Sequence, residues 1–194
     1  QPIHLSLDEA VAATVAKPEA TATTGLGLIL YEKVSIRDGR WGNNPWLQEL
    51  PDPVSKVSWD NYALISPGLA GKLGVVDGDL VKLSDGKNVI ELPARLQTGQ
   101  NDDAVAVALG YGRRNAGRVG TALGANAFPF VKSADGTTRY HSNGIEIKKS
   151  SGRHELAVTQ VHDSLEGRPL IHETSLAAFL SEHEKKGHEG KEHE

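Results

Sequence analysis

Side chains that could recognise a small molecule are concentrated in the stretch RWGNNPWLQELPDPVSKVSWDN, residues 40–61. It contains four side chains of the kind that pair with the edge of a heterocycle: Asn43, Asn44, Gln48 and Glu49. Because its prolines bar a long helix, we expect a structured loop that Trp46, Leu47 and Leu50 pack down. The alternative is a purely structural loop, in which the tryptophans pin the chain and the amides satisfy its backbone.

A second group of candidate residues lies between residues 104 and 130, where an apolar, strand-like run is followed by glycines at positions 110, 112, 117, 120 and 124. Glycine lets the backbone turn sharply and come close to a ligand. Arg113, Arg114 and Arg118 lie among these glycines and could bind a phosphate or a carboxylate bidentately. The alternative is a glycine-rich corner of a barrel with arginines on its surface.

Several kinds of catalytic site are excluded. Cysteine is absent, which rules out disulfides, thiolate metal sites and a cysteine nucleophile in this segment. Neither G-x-S-x-G nor H-E-x-x-H occurs, and the phrase GLGL lacks the third glycine and the helix of a dinucleotide fingerprint. His183, His188 and His193 recur every five residues, a spacing that does not place metal ligands on one helix face. We therefore predict no catalytic residue and no metal site.

The composition predicts a soluble globular protein rich in turns and short strands. Its 194 residues are 38% hydrophobic, with no apolar run near the ~20 residues of a membrane helix. The 21 glycines and nine prolines, against only ten aromatic residues, argue against a helical bundle. The net charge of −4 and the scattered basic residues do not support nucleic-acid binding. Methionine is absent, initiator included, so we expect a segment of a longer or processed chain.

The elements that must position the candidate residues are organised around residues 66–83, SPGLAGKLGVVDGDLVKL. The pattern predicts a short helix over residues 67–73 that Ser66 caps and Gly74 ends. Gly78, in the Asp-Gly-Asp turn that follows, is expected at positive φ because a tight reversal between helix and strand needs a left-handed residue. The unit is therefore strand, short helix, tight turn and strand.

Further strand signals surround this unit. An apolar run at residues 62–65 leads into the helix, and a hairpin turn at Asp85-Gly86 follows it. Residues 25–40 alternate as one long strand closed by a turn at Asp38-Gly39. The expected core consists of the apolar residues Leu30, Ile36, Leu64, Leu73, Val75, Leu80, Leu83, Leu92, Val105, Val107 and Leu109.

The phrase PGLAGKLGVVDGDLV fits the pattern P-x-x-A-x-x-L-G-x-x-D-G-D-x-V, and with its flanking strands it resembles the C-terminal dinucleotide-binding domain of the molybdopterin oxidoreductases. The run DGRWGNNPWLQELPDPVSKVSWDNYALISP is similar to the large iron–sulfur, molybdopterin-like subunits of bacterial alternative complex III, the quinol:cytochrome c oxidoreductase. Related N-x-W-L-Q-E-x-P phrases occur in polysulfide and thiosulfate reductase subunits. The DGR before the phrase and the WDN after it make the resemblance more selective.

This resemblance implies a mainly β fold, a six-stranded double-psi β-barrel with short helices and extended terminal tails. The barrel would occupy residues 25–160, after an N-terminal lead-in at residues 1–24. A C-terminal linker with a helical tail would follow at residues 161–194, its helix capped by Thr174 or Ser175.

The resemblance also implies a set of cofactor-binding residues. In the family, the pterin cleft is lined by a strand end and a downstream asparagine that match Gly110, Tyr111, Gly112 and Asn126 here. If the cleft is retained, these residues converge on one concavity with the loop residues Asn44, Trp46, Gln48 and Glu49. Arg113 or Arg114 would then lie beside the pyrophosphate.

Two classes of function follow from the resemblance. The first is the barrel of an oxidoreductase subunit that binds, or descends from one that bound, a molybdopterin guanine dinucleotide, which would need the rest of the subunit. The second is a cofactor-free structural or interaction barrel. The implied partners are other domains of the same subunit and other subunits of a membrane-associated respiratory complex on the periplasmic side, with no nucleic acid and no direct membrane span.

Overall fold

The computed structural model describes residues 25–134, 137–159 and 173–181. The chain divides into two compact units, the first ending at Thr159. The described strands of the first unit are β1 Leu26–Tyr31, β2 Ala63–Ile65, β3 Asp79–Ser84, β4 Val89–Leu96, β5 Ala104–Ala108, β6 Lys132–Ala134, β7 Thr137–Arg139 and β8 His141–Arg153. Its short helices are α1 Pro45–Glu49, α2 Pro67–Leu73, α3 Gly117–Gly120 and a 3-10 turn at Phe128–Phe130.

Six of the strands close into a barrel, in the order β1-β5-β2-β4-β3-β8. The pairs β1–β5 and β2–β4 are parallel, and β2–β5, β3–β4, β3–β8 and β1–β8 are antiparallel. Strands β6 and β7 form a separate two-stranded sheet. The prediction of a mainly β protein built on a closed six-stranded barrel with short helices is therefore confirmed. Of the predicted terminal tails, residues 173–181 are described, and residues 1–24, 161–172 and 182–194 lie outside the described ranges.

Helix α2 forms as its local sequence predicts. The Ser66 hydroxyl accepts a hydrogen bond from the backbone N–H of Leu69 at 2.9 Å, and Gly74 ends the helix at φ 63°. Gly78 has φ 85°, so the predicted left-handed turn residue is confirmed. Its carbonyl accepts from the backbone N–H of His154 at 2.8 Å, which ties the turn to the end of β8.

The barrel interior is filled by the apolar residues that alternate along the strands. Nine of the eleven expected core residues are buried, but Leu73 and Leu80 are only half-buried. The expectation for Leu80 is wrong because β3 turns its odd-numbered positions inward, so that Val81 and Leu83 are fully enclosed. Leu73 packs at the margin of the core instead.

The prediction of one long strand over residues 25–40 is wrong. Strand β1 ends at Tyr31, and the chain then turns back on itself, with the carbonyl of Lys33 accepting from the N–H of Arg37 at 3.0 Å. Arg37 adopts φ 57°, a left-handed conformation that is uncommon for a residue with a side chain. The turn places Ile36 in a fully buried site against Ala108 and Tyr111, and this tertiary contact overrides the alternating pattern.

The described part of the second unit is residues 173–181, with a helix at residues 176–181. The Ser175 hydroxyl accepts from the backbone N–H of Ala178 at 3.3 Å, so the predicted cap is confirmed at Ser175. The lead-in at residues 1–24 and the histidines at 183, 188 and 193 lie outside the described residues. No helix in the described ranges is both long enough and apolar enough to cross a membrane.

Candidate functional site

The loop between β1 and β2 contains the five-residue helix α1. Pro45 occupies the first turn, where its missing N–H costs nothing. The side chain of Asn44 accepts hydrogen bonds from the backbone N–H groups of Trp46 at 3.1 Å and Leu47 at 3.4 Å. The Asn44 carboxamide oxygen is therefore engaged as a helix cap.

Gln48 holds three parts of this loop together from a site that is only 3% exposed. Its side-chain N–H donates to the carbonyl of Gly42 at 2.8 Å, and its own backbone carbonyl accepts from the N–H of Trp59 at 2.9 Å. Its Oε1 atom is buried with no hydrogen-bond partner in the described structure. Glu49 is exposed, and its backbone carbonyl accepts from the hydroxyl of Ser58 at 2.9 Å.

The expectation that Trp46 and Leu50 pack the loop down is wrong. Trp46 is 80% exposed and Leu50 is 46% exposed. The helix docks through Leu47 and Gln48 instead, because a helix this short can bury only one face, and residues 46 and 50 lie one turn apart on the other. Trp41 is 53% exposed and lies in a groove of about 470 Å³ that it shares with Trp46.

The glycines after β5 allow protein segments to contact each other closely. Gly110 has φ 94°, and a Cβ there would lie 2.6 Å from the backbone nitrogen of Gly39. Gly112 has φ 70°, and a Cβ there would collide with the backbone nitrogen of Asn126. Real Cβ atoms do not approach other atoms this closely. The space beside both glycines is thus already filled by this chain.

The polar side chains of the glycine-rich segment also have partners within the protein. Nη2 of Arg113 donates to the carbonyl of Asp38 at 3.0 Å, and the side chain of Asn126 accepts from the N–H of Phe128 at 3.0 Å. Tyr111 is 4% exposed and packs against Ile36. Burial raises the pKa of the Tyr111 hydroxyl.

The structure brings the two candidate segments into contact, although about sixty residues separate them in the sequence. The side chain of Asn43 accepts from the backbone N–H of Val119 at 3.1 Å, and a Cβ on Gly120 would lie 2.6 Å from the carbonyl of Gly42. The candidates divide between two grooves, however. Asn44 and Trp46 line the groove described above, whereas a second groove of about 530 Å³ is lined by Tyr111, Gly112, Arg113, Arg114, Asn115, Asn126 and Phe128. Gln48 and Gly110 are buried and line neither of these grooves.

Sequence reasoning missed Asn61, which is fully buried between β5 and the glycine-rich segment. Its Nδ2 donates to the carbonyls of Ala108 at 3.0 Å and Ala125 at 2.8 Å. Its Oδ1 accepts from the N–H of Ala125 at 2.9 Å. The side chain is therefore fully paired and positions the segment that leads to Asn126. The one feature of the sequence that could have drawn attention to Asn61 was its place in the phrase WDN, which contributes to the family resemblance.

Lys33 is the second residue that the sequence did not reveal. It is 4% exposed, its ammonium donates to the carbonyl of Asp60 at 2.7 Å, and it lies 4.5 Å from the ring centroid of Tyr62 and 5.1 Å from that of Tyr111. Burial lowers the pKa of Lys33 to about 8, although the nearby Asp52 and Asp60 carboxylates act to raise it. A lysine in an alternating strand pattern would normally face solvent.

The chain matches no protein-family model. No curated protein matches it either. Among solved structures, it is similar to the acetylene hydratase from Pelobacter acetylenicus, at 16% sequence identity and a TM-score of 0.48. The similarity covers 69% of this chain and 19% of that one, so this chain spans about a fifth of the length of that structure.

Proposed function

We propose that this chain is the barrel domain of a molybdopterin oxidoreductase-type subunit in a respiratory electron-transfer complex. In this proposal it descends from a barrel that bound a molybdopterin guanine dinucleotide and now works as a cofactor-free docking domain. The resemblance of PGLAGKLGVVDGDLV to the family phrase and the closed six-stranded barrel with two parallel pairs support the proposal. The partners would be other domains of the same subunit and other subunits of a membrane-associated complex on the periplasmic side.

The observation that carries the proposal is the state of the polar groups at the candidate cleft. A pterin presents a planar edge of donors and acceptors and needs protein groups that are free to pair with it. The side chains of Asn44, Arg113 and Asn126 all hydrogen-bond to this chain's own backbone. The space beside Gly110 and Gly112 is filled by protein atoms. A cofactor that bound to the side-chain oxygen of Asn44 or Asn126, or to Nη2 of Arg113, would break bonds that the loops use to fold, and this favours the cofactor-free barrel.

Exposed aromatic surface on the same loop supports the docking role. Trp41 and Trp46 leave most of their surface to solvent, and Val34 and Leu50 line a smaller cleft of about 160 Å³ nearby in the chain. Large apolar side chains exposed together mark interaction surfaces in many proteins. Tryptophan in particular is enriched among the residues that dominate binding energy at interfaces.

A second candidate function is retained binding of the dinucleotide between this barrel and the rest of its subunit. It is favoured by the polar groove with Arg113, Arg114 and Asn115, which could accommodate an anion, and by the unpaired Oε1 of Gln48. This function would require the Arg113 side chain to exchange its bond to Asp38 for a phosphate.

Cofactor analysis of the full-length subunit, purified from its native host within its complex, distinguishes the two functions. We expect neither molybdenum by plasma mass spectrometry nor guanine nucleotide released by acid hydrolysis at stoichiometric levels. An authentic molybdopterin oxidoreductase from the same cells serves as the control for cofactor supply. Molybdenum and guanine nucleotide that copurify in stoichiometric amounts with the subunit would establish the second function and overturn the first.

A further inference from the structure

We propose that the surface formed by loop residues 37–49 and the glycine-rich residues 110–128 binds an acidic, partly apolar face of a partner subunit. This inference rests on the proposed docking function and names the chemistry of the partner. The side chains of this surface that the proposal uses are Arg37, Arg40, Trp41, Trp46, Arg113, Arg114, Arg118 and Phe128.

The charge of this surface runs against that of the whole chain. Five of the nine arginines lie in residues 37–49 and 110–121, whereas none of the twelve lysines does. The acidic residues in these segments are Asp38 and Glu49. A protein with a net charge of −4 thus carries a local excess of positive charge, all of it as guanidinium. Complementary potentials of this kind steer partners together and set their register.

Contacts between the two segments bring their arginines together. Arg113 donates to the carbonyl of Asp38 at 3.0 Å, which joins the second segment to the turn that contains Arg37 and Arg40. The bond from the N–H of Val119 to the side chain of Asn43, at 3.1 Å, brings Arg118 beside the loop. The two segments that carry the five arginines therefore lie against each other.

Three guanidinium groups on this surface are available to a partner. Arg40 is paired with Asp38 through two bonds of 3.0 Å, which hold the pKa of Asp38 at about 2 and keep it ionised. By contrast, the side chains of Arg37, Arg114 and Arg118 have no hydrogen-bond or ion-pair partner within the described ranges. All three are exposed.

Aromatic side chains lie beside these arginines. Trp46 and Trp41 are 80% and 53% exposed and form the walls of the 470 Å³ groove next to Arg40. Phe128 is 40% exposed at the margin of the groove that contains Arg113 and Arg114. Arginine and tryptophan are enriched at protein interfaces and lysine is depleted, as on this surface.

The observations favour an acidic protein partner over nucleic acid. A nucleic-acid footprint is typically a broad basic stripe on a basic domain, and this chain is acidic overall. The planar guanidinium matches a carboxylate bidentately, and the exposed indoles can pack against apolar side chains of the same partner. A subunit face that alternates carboxylates with leucine or phenylalanine side chains supplies both.

Binding of a model peptide to the full chain tests the proposal. The probe is an acetylated peptide that alternates glutamate with leucine, added while tryptophan emission is followed. We expect saturable binding that weakens at least about tenfold in the double variant R114Q/R118Q and in W46A. R114K/R118K should lose part of the affinity because lysine retains the positive charge but lacks the planar guanidinium that pairs bidentately with a carboxylate. K87Q/K148Q, which removes two exposed charges from the β3–β4 turn and from β8, should bind as wild type.

Several outcomes would overturn the proposal: no saturable binding of the peptide, equal binding of the same peptide with lysine for glutamate, or equal loss in K87Q/K148Q. Tighter binding of a single-stranded oligonucleotide would assign the surface to nucleic acid instead. Arginine-dependent self-association in sedimentation would assign it to a second copy of this chain. Stoichiometric cofactor in the native subunit would overturn the proposed function, whereas failure of the peptide alone overturns only the partner chemistry.

Discussion

Buried Lys33 gives the barrel a group that titrates in the mildly alkaline range. Burial lowers its pKa from 10.5 to about 8, so between these values the unfolded chain retains a proton that the folded protein has lost. Stability rises with pH wherever the unfolded state binds more protons. The free energy of unfolding should therefore increase by on the order of 1–2 kcal/mol from about pH 7.5 to about pH 9.5.

Urea unfolding of wild type and K33M over that range checks this expectation. The variant should show no such rise, and K87M, which changes an exposed lysine, should behave as wild type. Above about pH 10 the trend should reverse, since burial raises the pKa of Tyr62 to about 12 and the unfolded tyrosine ionises first. A wild-type curve that stays flat up to about pH 9.5 would show that Lys33 titrates normally.

Gly112 is required because another segment of the backbone occupies the space beside it. A Cβ at this position would collide with the backbone nitrogen of Asn126, and φ is 70°. We expect Gly112→Ala to lower the free energy of unfolding by more than about 2 kcal/mol in chemical denaturation. Gly86→Ala is the matched control, with φ 84° but no atom within 4 Å of the added Cβ, and should cost only about 1 kcal/mol. Equal costs for the two substitutions would refute the close contact.

Strand β3 shows how the alternation of side chains decides which residues stabilise the core. Val81 is fully buried, whereas Leu80 faces the opposite side of the strand and is half-buried. Val81→Ala should cost about 2–3 kcal/mol because it removes two methyl groups from a closed core. Leu80→Ala, although it removes more atoms, should cost about 1 kcal/mol. Urea denaturation of both variants tests whether the odd-numbered residues of β3 face the core. A larger loss of stability in Leu80→Ala than in Val81→Ala would contradict this.

The connection between β5 and the glycine-rich segment depends on Asn61. Its carboxamide donates to two carbonyls and accepts from one N–H in a fully buried site. Asn61→Ala should cost about 3 kcal/mol, since several buried groups lose their partner at once. Asn61→Asp should be worse at neutral pH than at about pH 4, because an ionised carboxylate would face two carbonyl oxygens. Equal unfolding midpoints for N61A and wild type would contradict this role.

Strand β8 closes the barrel by pairing with both β1 and β3. A chain that ends at Arg139 would leave two strand edges unpaired, which favours aggregation. We expect such a chain to lack cooperative unfolding by circular dichroism and to sediment as aggregates. A chain that ends at Thr159 retains every barrel strand and should unfold cooperatively. Cooperative unfolding of the shorter chain would show that closure is dispensable.

The short elements of this protein can be predicted from local sequence alone. The helix over residues 67–73, its serine cap, the left-handed Gly74 and Gly78 and the hairpin turn at residues 85–86 all depend on interactions within a few residues of each other. The barrel class was implied by the family resemblance. Such features are predictable because the energies that select them are local.

The hydrogen-bond partners of the candidate residues depend on long-range packing. Whether Asn44, Arg113 and Asn126 face a ligand or this chain's own backbone depends on which distant segment lies against them, and their residue types are suited to both. The exposure of Trp46 and the burial of Lys33 likewise contradict their local patterns, because the turn after β1 and the docking of α1 are set by long-range packing. The free energy of a local conformational preference is smaller than that of the contacts made when the segments pack. The tertiary contacts therefore determine the structure where the two conflict.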